Sequence, residues 1–220
     1  MTEYKGIVIF RFDPTYPAGK MFSIRCDQDT NQLSLSKSED LGFLDDIKQK
    51  TAKYLLDRAS AVDREVVAVN IQDAKSIGII YRADHDETNE LVRRYVKFLK
   101  DYKLKVKALG YFDKKELPPD VNPKLEFDFI TKKDLNLRLE PKSVVARNFV
   151  EEAFDILIDT SVSEDVIMQY LTHYSKAKFK VGATRLSYHN QLDLSIVLKP
   201  EEGTRQLLKG VDKYLHVIKN

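Results

Sequence analysis

Residues 154–182 read FDILIDTSVSEDVIMQYLTHYSKAKFKVG, and this stretch decides the fold. Ile156, Leu157 and Ile158 form a continuous apolar run, as expected of a strand covered on both faces, and Asp159, Thr160 and Ser161 end it abruptly. Ser161 and Glu164 stand at capping-box spacing before a helical segment. Its apolar stripe is Val166, Ile167, Tyr170, Leu171 and Tyr174, with Met168 off the stripe. A second strand then runs to Gly182. Strand, polar turn, helix and strand make one right-handed crossover of a parallel sheet.

The same alternation extends in both directions. After Gly182, ATRLSYHNQ reads as a loop, Leu192–Leu198 as a last strand, and Pro200 as the start of a closing helix with Leu207, Leu208, Val211, Leu215 and Ile218 on one face. Upstream, Ile77–Tyr81 is the first central strand, and RADHDE after it offers Asp84 as a helix N-cap with Glu87 in capping-box position. The helix that follows turns Leu91, Val92, Tyr95, Val96 and Leu99 inward. Leu104–Phe112 is a strand near the sheet edge, its lysines alternating with apolar residues, and Leu125–Ile130 is a half-exposed strand. The three prolines of DKKELPPDVNPK leave little room for a helix between them. A helix from Pro141 presents Val144, Val145 and Phe149 to the sheet, and the β-branched run Val66–Ile71 adds an extra strand.

The expected organisation is a β-rich appendage over residues 1–43, a connecting helix over 44–64 and a Rossmann-like α/β three-layer sandwich with a mostly parallel sheet over 65–220. Within the appendage, Gly6–Phe12 reads as a strand, and Met21–Cys26 pairs with Leu33–Ser36 across DQDTN.

Composition removes several function classes. The 36 basic and 34 acidic side chains nearly cancel, at +2, so no global field draws the chain to nucleic acid or to an anionic membrane. A single cysteine, Cys26, excludes a disulfide framework and a cysteine-rich zinc site, and points to a reducing compartment. The N-terminal apolar run is too short for a secretory signal, and no stretch approaches the ~20 apolar residues of a spanning helix. A cytoplasmic protein is expected.

In an open parallel sheet, ligands sit outside the carboxyl ends of the strands. That rule singles out Arg82, Asp84, His85 and Asp86 after the first central strand, Asp113 after the second, and Thr131, Lys132 and Lys133 after the third. It adds Asp159, Thr160 and Ser161 after the fourth and Gly182 and Arg185 after the fifth. The ligand-binding candidates are Arg82, Asp84, His85, Asp159, Thr160, Ser161 and Arg185. No glycine-rich turn follows Ile77–Tyr81, so neither a dinucleotide fingerprint nor a P-loop is present. Asp84, Asp86 and Asp159 have the chemistry for Mg²⁺, but capping accounts for them, and no metal or cofactor is assigned. No nucleophile–base pair emerges from the spacing of Ser161, Cys26 and the four histidines, and no catalytic residue is assigned; His173 reads as a packing residue. The lysines between Lys100 and Lys133 read as protection of a sheet edge.

The blocks AKSIGIIY, KVKALGYFDKKELP, FDFITKKDLN and SKAKFKVG resemble an uncharacterised family of small bacterial proteins, of the Bacteroidetes type, over residues 65–219. That resemblance implies domain limits and a bacterial cytoplasmic setting, and no activity. Residues 154–159 and 177–182 are also similar to the N-terminal domain of heptosyltransferase-like glycosyltransferases. Those enzymes bind a nucleotide sugar mainly through a second Rossmann-like domain, and RADHDE replaces their glycine-containing first loop here. The expectation is a non-catalytic domain that binds a protein partner or a small anionic ligand at the strand ends. The alternative is an enzyme acting on a nucleotide, sugar or phosphorylated substrate, with His85 or Asp159 as acid or base.

Overall fold

The apolar runs read from Ile77 onward do become strands, and the alternation of their side chains decides which helix covers which face. In the computed structural model, which describes residues 25–26, 33–34, 39–119, 121 and 123–218, the chain forms two compact units, residues 1–50 and 51–220. In the first, β1 (Arg25–Cys26) pairs antiparallel with β2 (Leu33–Ser34), as expected across DQDTN. The strand expected at residues 6–12 lies outside the described residues. Helix α1 spans Glu39–Asp57.

The second unit is a six-stranded, all-parallel sheet of β3 (Ser76–Arg82), β4 (Lys105–Phe112), β5 (Phe127–Thr131), β6 (Ile156–Asp159), β7 (Phe179–Ala183) and β8 (Leu194–Ile196). Their spatial order is β5-β4-β3-β6-β7-β8. Counted from β3, that is 3-2-1-4-5-6, the Rossmann order, whose direction of winding reverses between β3 and β6. Helices α2 (Asp86–Asp101) and α5 (Thr204–Leu215) cover one face, and α3 (Val144–Glu151) and α4 (Val166–Tyr174) the other. Ile77, Ile79, Tyr81, Ile156 and Ile158 point to the α2/α5 side, while Ile80, Leu157 and Leu109 point to the α3/α4 side. The starts of β3 and β6 are locked together by Asp155, whose carboxylate accepts from the backbone N–H of Lys75 (2.8 Å) and Ser76 (3.1 Å) and pairs with Lys178.

Several elements differ from expectation for identifiable reasons. Val66–Ile71 is not a strand: Val67 N–H reaches Lys178, just before β7, and Ile71 N–H reaches Leu215 at the end of α5, so its backbone bonds go to two different elements instead of to one neighbouring strand. The third helix begins at Val144 with Ser143 as its cap, not at Pro141, whose backbone pairs with Leu135. Val144 and Val145 therefore face solvent, and Ala146, Phe149 and Val150 pack inward. Met168, expected off the stripe, is fully buried between α4 and the sheet. Lys105 and Lys107 precede the β5 register, which starts opposite Ala108, so this part of β4 is an edge, and both lysines reach Glu152. Among the described residues no helix is long and apolar enough to cross a membrane.

Candidate functional site

Winding reverses between β3 and β6, so the loops after them leave in opposite directions, the place where open parallel sheets bind ligands. Arg82 is the last residue of β3 and stands at that end. Its Nε and Nη2 donate to the two oxygens of Asp84 at 2.9 Å each, and its Nη1 donates to Asp165 at 2.6 Å. Asp113, following β4, approaches Nη2 at 4.0 Å. The guanidinium lies over the Tyr111 ring, 4.9 Å from its centroid. Asp113 has closer partners, accepting from Tyr111 Oη at 3.0 Å and pairing with Lys132 at 3.0 Å. The Arg82 side chain remains 27% exposed.

Burial works against charge on both Arg82 and Asp84, and their mutual hydrogen bonds outweigh it. Asp84 is held below the ordinary carboxylate range, and the Arg82 pKa is raised by Asp84 and Asp165. This pairing explains why Asp84 does not cap α2: the N-cap is His85, which makes no side-chain cap bond and is exposed. Ser161 and Glu164 likewise do not form the expected box. Asp165 caps α4, accepting from Ile167 N–H (2.8 Å) and Met168 N–H (3.1 Å), while Glu164 turns to Ser187.

The candidates after β6 form a second, sealed cluster. Asp159 is completely buried and accepts from Ser161 N–H (2.9 Å), Thr172 Oγ1 (3.0 Å) and Tyr188 Oη (2.9 Å). Burial raises its pKa, and those donors offset only part of the rise. Thr160 N–H and Oγ1 both donate to Ile80 O, stitching the loop to β3. Thr204 Oγ1, at the start of α5, donates to Thr160 O at 3.4 Å. Arg185 is exposed and donates to the backbone carbonyls of Pro200 and Glu202.

The sequence-selected residues thus separate into an accessible ionic cluster around Arg82 and Asp84, a buried hydrogen-bond cluster around Asp159, and Arg185 on a loop. Sequence reasoning missed Asp165, Thr172 and Tyr188. The signal available for the last two was Asp159 itself, since a carboxylate closing an apolar strand needs buried donors from somewhere. Among the described residues no group of three or more His, Cys, Asp or Glu side chains is placed to hold a metal ion.

No curated protein and no solved structure matches the chain. A family model described as a family of unknown function (DUF6913) matches residues 46–218, beginning inside α1 and taking in the whole sheet. The chain belongs to that family of unknown function.

Proposed function

We propose that the chain is a binding module with no catalytic centre of its own, and that it holds a small anionic ligand at the carboxyl ends of the strands through Arg82 and Lys132. The observation that carries this reading is the loose fourth side of the Arg82 cluster. Asp84 and Asp165 hold the guanidinium closely, whereas Asp113 stands 4.0 Å away with its own partners at 3.0 Å. A carboxylate or phosphate entering there would take the place of Asp113 and meet Arg82 and Lys132 together. The surrounding carboxylates oppose a polyanion, which favours a ligand with one compact anionic group.

A nucleotide-, sugar- or phosphate-processing enzyme would use the same end of the sheet, with His85 or Asp159 as acid or base. The binding reading is preferred because Asp159 is sealed from solvent and committed to three donors. The single cysteine and the sequence blocks quoted above support a bacterial cytoplasmic setting for the module.

Differential scanning of thermal unfolding against inorganic phosphate, nucleotides, nucleotide sugars and simple carboxylates tests the reading. An anion at 100 times its Kd stabilises by about 2.7 kcal/mol. Asp113→Asn removes the competing carboxylate and is expected to tighten binding, while Lys132→Gln weakens it. No response to any anion, or a response that Asp113→Asn leaves unchanged, rejects the site.

A further inference from the structure

On the face away from α3 and α4, helices α2 and α5 lie side by side with a groove of about 290 Å³ between them. Leu91, Tyr95 and Phe98 line one wall and Leu208 the other. Leu91, Tyr95, Phe98 and Tyr102 recur at helical spacing along α2 and its C-cap, a stripe roughly 16 Å long at 1.5 Å per residue. Its rings run on from one another: Tyr95 to Phe98 at 6.0 Å, Phe98 to Tyr102 at 5.1 Å, and Tyr102 to His216 just past α5 at 6.0 Å. Phe98 is 37% and Tyr102 44% exposed, so the C-terminal half of the stripe is open to solvent.

Two further observations say what would cover it. The rim carries Arg94, Arg205 and Lys209 against the lone carboxylate of Asp212. Arg94 and Arg205 have only exposed acidic neighbours, Glu90 on the same helix and Glu87 at 4.0 Å, and such pairs contribute about 0–1 kcal/mol. Tyr95, one of the residues lining the groove, is nine-tenths buried, and its buried hydroxyl has no hydrogen-bond partner. A buried hydroxyl left unpaired is costly, so an acceptor brought to it would be favourable.

We propose that this groove docks an acidic amphipathic helix of a partner protein. Apolar side chains one turn apart enter between Phe98 and Leu208, flanking carboxylates meet Arg94, Arg205 and Lys209, and an acceptor on the partner takes the Tyr95 hydroxyl. The length of the stripe and the exposure of Phe98 and Tyr102 favour a helix over a small amphipathic acid, which would need only one end of the groove. The site is independent of the Arg82 cluster, so either can fail without the other.

Selection of a phage-displayed helical peptide library on the full chain, with counter-selection on Phe98→Asp/Arg205→Glu, tests the proposal. Enriched peptides are expected to be acidic, with apolar residues at i, i+4 and i+7. A fluorescein-labelled representative, followed by anisotropy, should bind at least tenfold more weakly to Arg205→Glu/Lys209→Glu and lose affinity as salt rises. Tyr95→Phe should weaken it severalfold with the unfolding temperature of the free protein unchanged or raised. Failure to enrich any peptide over the counter-selected pool, or enrichment of basic peptides, overturns the proposal. Saturable binding of octanoate abolished by Phe98→Asp, with no peptide enriched, also overturns it and makes the groove a small-molecule site.

Discussion

Arg82 Nη1 lies 2.6 Å from the same Asp165 carboxylate that caps α4, so a guanidinium at the end of β3 positions the first turn of a helix 83 residues further along the chain. Asp165→Ala removes the cap and the ion pair together and is expected to cost about 2–4 kcal/mol. Asp165→Asn keeps an oxygen for the two N–H groups and should cost roughly half as much. Urea unfolding of both variants separates the contributions. Equal losses in the two would show that the cap contributes little.

Tyr188 donates to a carboxyl group that has no access to water. Tyr188→Phe is expected to destabilise by about 1–3 kcal/mol, the cost of leaving a buried acceptor short of one donor. It should also raise the Asp159 pKa further, because one of the bonds favouring the charged form disappears. Because that pKa is already above its unfolded value, the folded state gains least from Asp159 at high pH. Stability is fully present below about pH 4 and declines as pH rises through the folded value. The decline should extend to higher pH in Tyr188→Phe, measured by chemical unfolding from pH 4 upward; an identical pH profile in the two proteins would contradict this.

Lys180 behaves in the opposite sense. Its buried ammonium donates to the carbonyls of Thr172 (2.6 Å) and His173 (3.2 Å) at the C-terminal end of α4. Burial, reinforced by nearby Arg64 and opposed by Asp193, brings its pKa down to about 7. An unfolded lysine titrates near 10.4. Between those values the unfolded chain holds a proton that the folded chain lacks, so stability rises with pH, by up to ~1.4 kcal/mol per unit. Urea midpoints at pH 7, 8 and 9 should climb in the wild type, and Lys180→Met should remove that climb while lowering stability overall. A climb that survives the substitution must come from another group.

Gly78 is set by a neighbour, not by its backbone. A Cβ there would come within 2.7 Å of the Phe154 ring, which is completely buried. Gly78→Ala should cost about 1–3 kcal/mol from overpacking. Adding Phe154→Leu should recover part of that loss, a coupling that a double-mutant cycle on unfolding free energies measures directly. Simple additivity of the two losses would refute the steric account.

The sheet was legible where burial on both faces imposed apolar runs, as at Ile77–Tyr81 and Ile156–Ile158. Reversal of winding between β3 and β6 followed from pairing and had no local signature. Val66–Ile71 has strand composition, yet composition says nothing about whether a neighbouring strand is available, and here none runs beside it. Met168 looked peripheral on an ideal stripe because α4 is covered more widely than one stripe, with Gln169, Thr172 and His173 buried as well. At the site, Asp84 was expected to cap α2 but pairs with Arg82, while Asp165, which the sequence did not single out, caps α4 and pairs with the same guanidinium. One of these contacts lies two residues away from Arg82 and the other 83 residues away. A window of local sequence contains only the first.

The seating of α5 beside α2 also bears on the order in which the fold can be completed during synthesis. Leu207, Leu208, Val211 and Leu215 join the same core as Ile158, Val181 and Ala183, and Gly210 lets the helix come so close to β8 that a Cβ would meet Ile196 at 2.7 Å. Until α5 leaves the ribosome, one face of β6, β7 and β8 stays uncovered. The nascent sheet must therefore wait, with apolar surface exposed, for α5, which makes the interval before α5 emerges a period in which this sheet is open to aggregation or to a chaperone.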